Sequence, residues 1–133
     1  METLKNKSGI NIASAELLLK QPYANPSVHC SYYAAFQYLV FTVCKARNIT
    51  KDELSQEIRS DSGKHSHNYP IQLIVSRARD IKAIDLAKFR RKITDLKALR
   101  ETADYELQNV DYPTAEQALK DAADLIEQFK LIV

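Results

Sequence analysis

The sequence predicts an all-α fold, a single-domain up-and-down bundle of five to six helices spanning residues 1–133. Three observations carry that expectation. Apolar residues recur at helical spacing in nearly every segment. Only two glycines and four prolines occur in 133 residues, too little turn chemistry for many short strands. At 45% hydrophobic and 27% charged, the chain has enough apolar surface for one core and no long disordered stretch.

The first helix is expected over about Leu4 to Lys20, with Ile12, Ala15, Leu18 and Leu19 as its apolar stripe. Pro22 falls in a turn, and Asn25-Pro26 reads as a capped helix start. The second helix then runs to about Arg47. Val28, Tyr32, Ala35, Phe36, Leu39, Val40 and Val43 line it, flanked by Phe41 and Cys44, so it is apolar around most of its circumference. Such a helix belongs at the centre of a bundle.

Thr50 and Glu53 fit a capping box for a short helix over about Lys51 to Arg59. The polar run from Asp61 to Pro70 follows, and Pro70 marks the start of a fourth helix to about Arg79. A fifth spans about Asp85 to Leu107, with Leu86, Phe89, Ile93, Leu96 and Leu99 on one face. Thr114 and Gln117 repeat the capping-box pattern and open a last helix through about Lys130. Short connections favour antiparallel neighbours.

No apolar run approaches the roughly 18 residues of a membrane span. The opening residues lack the apolar core and small-residue cleavage site of a secretory signal, so the expectation is a cytoplasmic protein with no membrane partner. Cys30 and Cys44, 14 positions apart on one helix, would stand roughly 21 Å apart, beyond disulfide reach. They are expected as buried small hydrophobes, and no metal or cofactor is implied.

The net charge of +2 conceals an asymmetry. Residues 77–100 hold nine basic and three acidic positions; residues 101–133 hold eight acidic and two basic ones. Two readings stand: a basic helix that meets phosphates, or two antiparallel helices that neutralise one another through exposed ion pairs.

Chemistry-bearing residues gather in the polar loop, where Lys64, His65, His67 and Tyr69 follow Arg59. Histidine exchanges protons near neutral pH, and arginine holds a phosphate or developing oxyanion. Metal-independent RNA cleavage needs little more; the alternative is a solvated loop with incidental histidines. A second concentration, Tyr32, Arg100, Asp104 and Tyr105, suits a polar cluster between the second and fifth helices that fixes register. A groove lined by Tyr33, Lys64 and Arg100 is a further expectation, as a nucleotide site.

Three blocks, Asn25 to Phe36 (N-x-S-V-H-x-S-Y-Y-A-A-F), Lys64 to Ser66 (K-H-S) and Leu99 to Glu106 (L-R-x-x-A-D-Y-E), make the sequence resemble the HEPN domain family over about Ile10 to Phe129. The resemblance implies an α-helical bundle and a homodimer. It further implies one component of a toxin–antitoxin or defence-type system with a nucleotidyltransferase-like partner, acting on or binding RNA or nucleotide. Active members are metal-independent endoribonucleases in which an Arg precedes a His by four to six residues, some with a Tyr two places after that His that the partner adenylylates. Arg59 and His65 satisfy the first spacing. His67 and Tyr69 satisfy the second, and no single histidine satisfies both. Arg59 would then hold the phosphate, His65 or His67 move the proton, and Tyr69 be the modification site. The alternative is a non-catalytic dimerisation or protein-interaction module with a degenerate Arg-His motif.

Overall fold

The computed structural model describes residues 2–61, 63–106 and 109–133. Six helices follow in order: α1 (Glu2–Leu19), α2 (Ala24–Arg47), α3 (Lys51–Arg59), α4 (Asn68–Ala78), α5 (Leu86–Tyr105) and α6 (Tyr112–Lys130). No strand occurs among the described residues. None of these helices is long and apolar enough to cross a membrane.

Helix α2 is the hub, packing against all five others. The apolar girdle read from its sequence is buried on most sides, from Val28 through Leu39 to Cys44. Small residues let α1 lie close against it. The Ser8 hydroxyl donates to the Ala34 carbonyl at 2.6 Å and the Ser27 hydroxyl to the Ala15 carbonyl at 2.9 Å. Both hydroxyls are thereby satisfied inside the core, which offsets the cost of burying them.

Those paired positions also fix direction: numbers rise along α1 as they fall along α2, so the two are antiparallel. The same holds for α2 and α5, where His29 meets Asp104 and Tyr32 meets Arg100. It holds again for α5 and α6, where Phe89 meets Phe129 edge-on at 5.7 Å and Lys92 reaches Asp124. The four long helices therefore alternate up and down. Helices α3 and α4 form an excursion between the second and third of them, and this excursion carries the polar loop to the bundle surface.

Helix boundaries show where local signals acted. Thr50 and Glu53 form the expected capping box, each side chain bonding the other's backbone N–H. Asp85 caps α5 through the Lys88 N–H. The expected end of α5 at Leu107 lies outside the described residues.

Two expected caps are corrected. Asn25 does not cap α2, which starts one residue earlier after Tyr23 with no side-chain cap. Its amide instead bridges the far end of the chain, donating to the Ala103 carbonyl at 3.1 Å and accepting from the Val110 N–H at 2.8 Å. Thr114 and Gln117 do not open α6. Asp111 caps it by accepting from the Thr114 N–H, with Pro113 in the first turn.

Cys30 and Cys44 are free, the first half-buried and the second buried. Burial raises both thiols above the ordinary range, with Asp104 adding to the effect on Cys30. Each is therefore a protonated packing group rather than a nucleophile.

Candidate functional site

Three elements converge where the polar loop enters α4. The aromatic face of α2 supplies Tyr32, Tyr33 and Phe36, the loop supplies His65 and His67, and the last turns of α5 supply Lys97 and Arg100. Tyr32, only 2% exposed, is bonded through its hydroxyl to His67 Nδ1 at 2.7 Å. The imidazole lies flat on Phe36, ring centroids 4.4 Å apart and planes 11° from parallel. Tyr33 meets the same ring edge-on at 6.0 Å.

Protonation follows from these surroundings. Burial lowers the pKa of His67, and the cations Arg100 and Lys97 lower it further against the opposing pull of Glu101. Burial pushes the Tyr32 phenol well above its usual range, Arg100 partly offsetting this. At neutral pH both groups are uncharged. A neutral phenol and a neutral imidazole can share this bond in either direction, the ring tautomer deciding which donates.

Arg100 is 7% exposed, unusual for a residue that is always charged. Its guanidinium carbon lies 5.1 Å from the Tyr32 ring centroid, 5.6 Å from that of Tyr33 and 5.8 Å from that of Tyr105. These faces hold the cation by its attraction to π-electron density. Asp104 stands 3.7 Å from Nη1, but its carboxylate is directed to His29 Nδ1 at 2.9 Å. The Arg100 Nε is buried with no hydrogen-bond partner. A charged donor left in that state is costly unless something else comes to it.

On the solvent side, His65, Ser66, His67, Asn68, Lys97 and Arg100 line an open depression of about 250 Å³. None of them is an acid. The N-terminus of α4 also lies here, without a side-chain cap; the Tyr69 N–H donates to the His65 carbonyl, the Ile71 N–H to the His67 carbonyl, and Pro70 has none to offer.

The sequence-derived residues divide into two groups. Tyr32, Arg100, Asp104 and Tyr105 come together as the expected polar cluster between α2 and α5. Tyr33, His65 and His67 adjoin it. Arg59 does not: it is exposed at the end of α3 and absent from the depression. Lys64 and Tyr69 belong to a separate arrangement. The Lys64 ammonium lies 4.9 Å from the centre of the Tyr69 ring, and the Tyr69 hydroxyl donates to Glu57 at 3.0 Å. Arg47 grips the same carboxylate through two nitrogens, at 2.8 and 3.1 Å. The expected groove of Tyr33, Lys64 and Arg100 is therefore corrected: Lys97, one turn before Arg100 on the same face of α5, lines the depression with it, and Lys64 does not.

Charge neutralisation between α5 and α6 is also smaller than its sequence reading. Lys92 to Asp124 at 3.6 Å is the single ion pair joining them among the described residues. Arg79, Lys88, Arg90 and Arg91 are exposed. The sequence counts Lys97 among the basic positions of residues 77–100 and starts a helix near Pro70, but joins neither to the site. The Lys97/Arg100 spacing of three, one helix face, is the signal that could have found the first.

Among the described residues no three His, Cys, Asp or Glu side chains gather as a metal site would require. Compared with known proteins, the chain matches no family model and no curated sequence.

Proposed function

We propose that this protein binds RNA or nucleotide through the depression between α4 and α5. We further propose that it is the HEPN-like component of a toxin–antitoxin or defence-type pair with a nucleotidyltransferase-like partner. One observation carries the binding: His65, His67, Lys97 and Arg100 share a single acid-free depression at an uncapped helix N-terminus. Phosphate is the ligand chemistry that uses fixed cations and neutral imidazoles at once. The three motif blocks and the all-helical bundle support the HEPN-like reading, together with its homodimer, cytoplasmic location and partner.

If RNA is cleaved there, the reaction needs no metal. A base removes the ribose 2′-OH proton, the 2′-oxygen attacks phosphorus, and an acid protonates the departing 5′-oxygen to leave a 2′,3′-cyclic phosphate. Exposed His65 suits the proton transfers, and Arg100, not Arg59, suits the charged phosphorane. The absence of Arg59 from the depression favours a second reading, in which the site binds RNA without cutting it.

Fluorescence anisotropy with a labelled single-stranded RNA tests the proposal. Binding should weaken steeply with salt and fall in Lys97→Gln. No binding at low salt would remove the proposal. Incubation with RNA in EDTA separates the two readings: cleavage abolished by His65→Ala supports the nuclease, and intact RNA supports binding alone. Co-purification of a coexpressed nucleotidyltransferase tests the pairing.

A further inference from the structure

The depression does not stand alone. Asn68 also lines a second cavity of about 320 Å³ along the α4–α5 seam, floored by Ile71 and Val75 and edged by Arg79, Arg90 and Thr94. Arg90, Thr94, Lys97 and Arg100 lie at helical spacing on one face of α5, so the trough they outline, two hollows that share Asn68, follows about 15 Å of it. Four fixed cations line it and no acid does.

The two ends differ in kind. At the far end Arg79 and Arg90 are exposed single charges of the sort that contact passing phosphodiesters. At the near end the donors converge. Arg100 is more than nine-tenths buried with an unpartnered Nε, and behind its guanidinium stand the rings of Tyr32, Tyr33 and Tyr105. In front lie Lys97, the two histidines and the α4 N-terminus. That is donor capacity for two negative charges on one phosphorus. A phosphodiester carries one.

Resting on the phosphate-binding reading above, we infer that the Arg100 end of the trough receives the terminal phosphomonoester of a nucleic-acid strand, whose following phosphates run along α5 towards Arg90 and Arg79. Glu101, outside the depression, holds Lys97 at 2.7 Å and competes with the incoming phosphate. The ligand is thus a phosphorylated strand end, distinct from a mononucleotide or an internal stretch of chain.

The test uses the full chain and one labelled oligoribonucleotide sequence with a 5′-phosphate, a 3′-phosphate or only hydroxyl ends. One of the two phosphorylated forms should bind at least tenfold tighter than the hydroxyl form, and AMP should bind more weakly than it. Arg79→Gln/Arg90→Gln should weaken all oligonucleotides alike and keep that ratio. Lys97→Gln and Arg100→Lys should bring the ratio towards one, and Glu101→Gln should tighten the phosphorylated end severalfold. Circular dichroism of each variant checks that the bundle persists; Lys97 and Glu101, partly exposed, carry the test if Arg100→Lys does not fold. Equal affinity for phosphorylated and hydroxyl ends, or a ratio unmoved by Lys97→Gln, overturns the inference and leaves RNA binding standing. Failure of every oligonucleotide to bind at low salt overturns both.

Discussion

Removing one oxygen from Tyr32 probes the link between core and site. In Tyr32→Phe the ring stays, so stacking on Phe36 and contact with Arg100 survive and no cavity opens. What goes is the 2.7 Å bond to His67 Nδ1. A buried neutral hydrogen bond contributes about 1 kcal/mol net, and a half-buried Nδ1 left without its partner adds to the loss. The expected destabilisation is about 1–2 kcal/mol, against about 3–5 kcal/mol for Tyr32→Ala, which would also empty the ring's space. With a urea slope of about 2 kcal/mol/M, the midpoint should fall by about 0.5–1 M at pH 7.5. A double-mutant cycle with His67→Phe isolates the bond, because phenylalanine preserves the stack on Phe36. The coupling should be about 1 kcal/mol. A coupling below about 0.3 kcal/mol would refute the reasoning and mean that Tyr32 holds its place by packing alone.

Acid should act through the same histidine. Its folded pKa lies below the ordinary value near 6.5, so around and below that pH the unfolded chain binds more protons and stability falls as pH drops. Urea melts between pH 5 and 7.5 should show a shallower decline in His67→Phe; an identical decline would remove His67 as the cause. Thr50→Ala should cost about 1 kcal/mol by deleting the capping box of α3, read as a lower thermal midpoint. Asn25→Ala, which breaks bonds to Ala103 and Val110, should cost about 1–3 kcal/mol and speed amide exchange at Val110; unchanged exchange there would contradict the bridge.

The helices were legible because their signals are local. Apolar spacing placed α2 at the centre, and Thr50 with Glu53 bounded α3 to the residue. The errors came where one side chain serves two purposes. Asn25 has the chemistry of a cap, but its amide bonds residues 78 and 85 positions away, and no local rule weighs such partners. The same blindness affected the site. His65, His67 and Arg100 line the depression, whereas Arg59, expected from its spacing to the histidines, and Lys64, expected in a groove with Tyr33 and Arg100, do not. Helix α3 and the loop turn those two aside, while α5 brings in Lys97 from thirty positions further on. Tyr69, expected as a modification site, has its hydroxyl tied to Glu57, which Arg47 in turn holds.

The central position of α2 has a consequence for how the protein is made. Of the other five helices only α1 precedes it in the chain and can cover it as it emerges. The surfaces against which Leu39 and Tyr38 rest include Leu125 and Phe129, on α6. From Cys44 to Phe129 is about 85 residues, or about 4–17 s at ordinary ribosomal speeds. For that interval the emerging α1–α2 hairpin presents the longest helix of the fold with one flank uncovered. That flank is the surface a holdase would grip, and release would follow the arrival of α6.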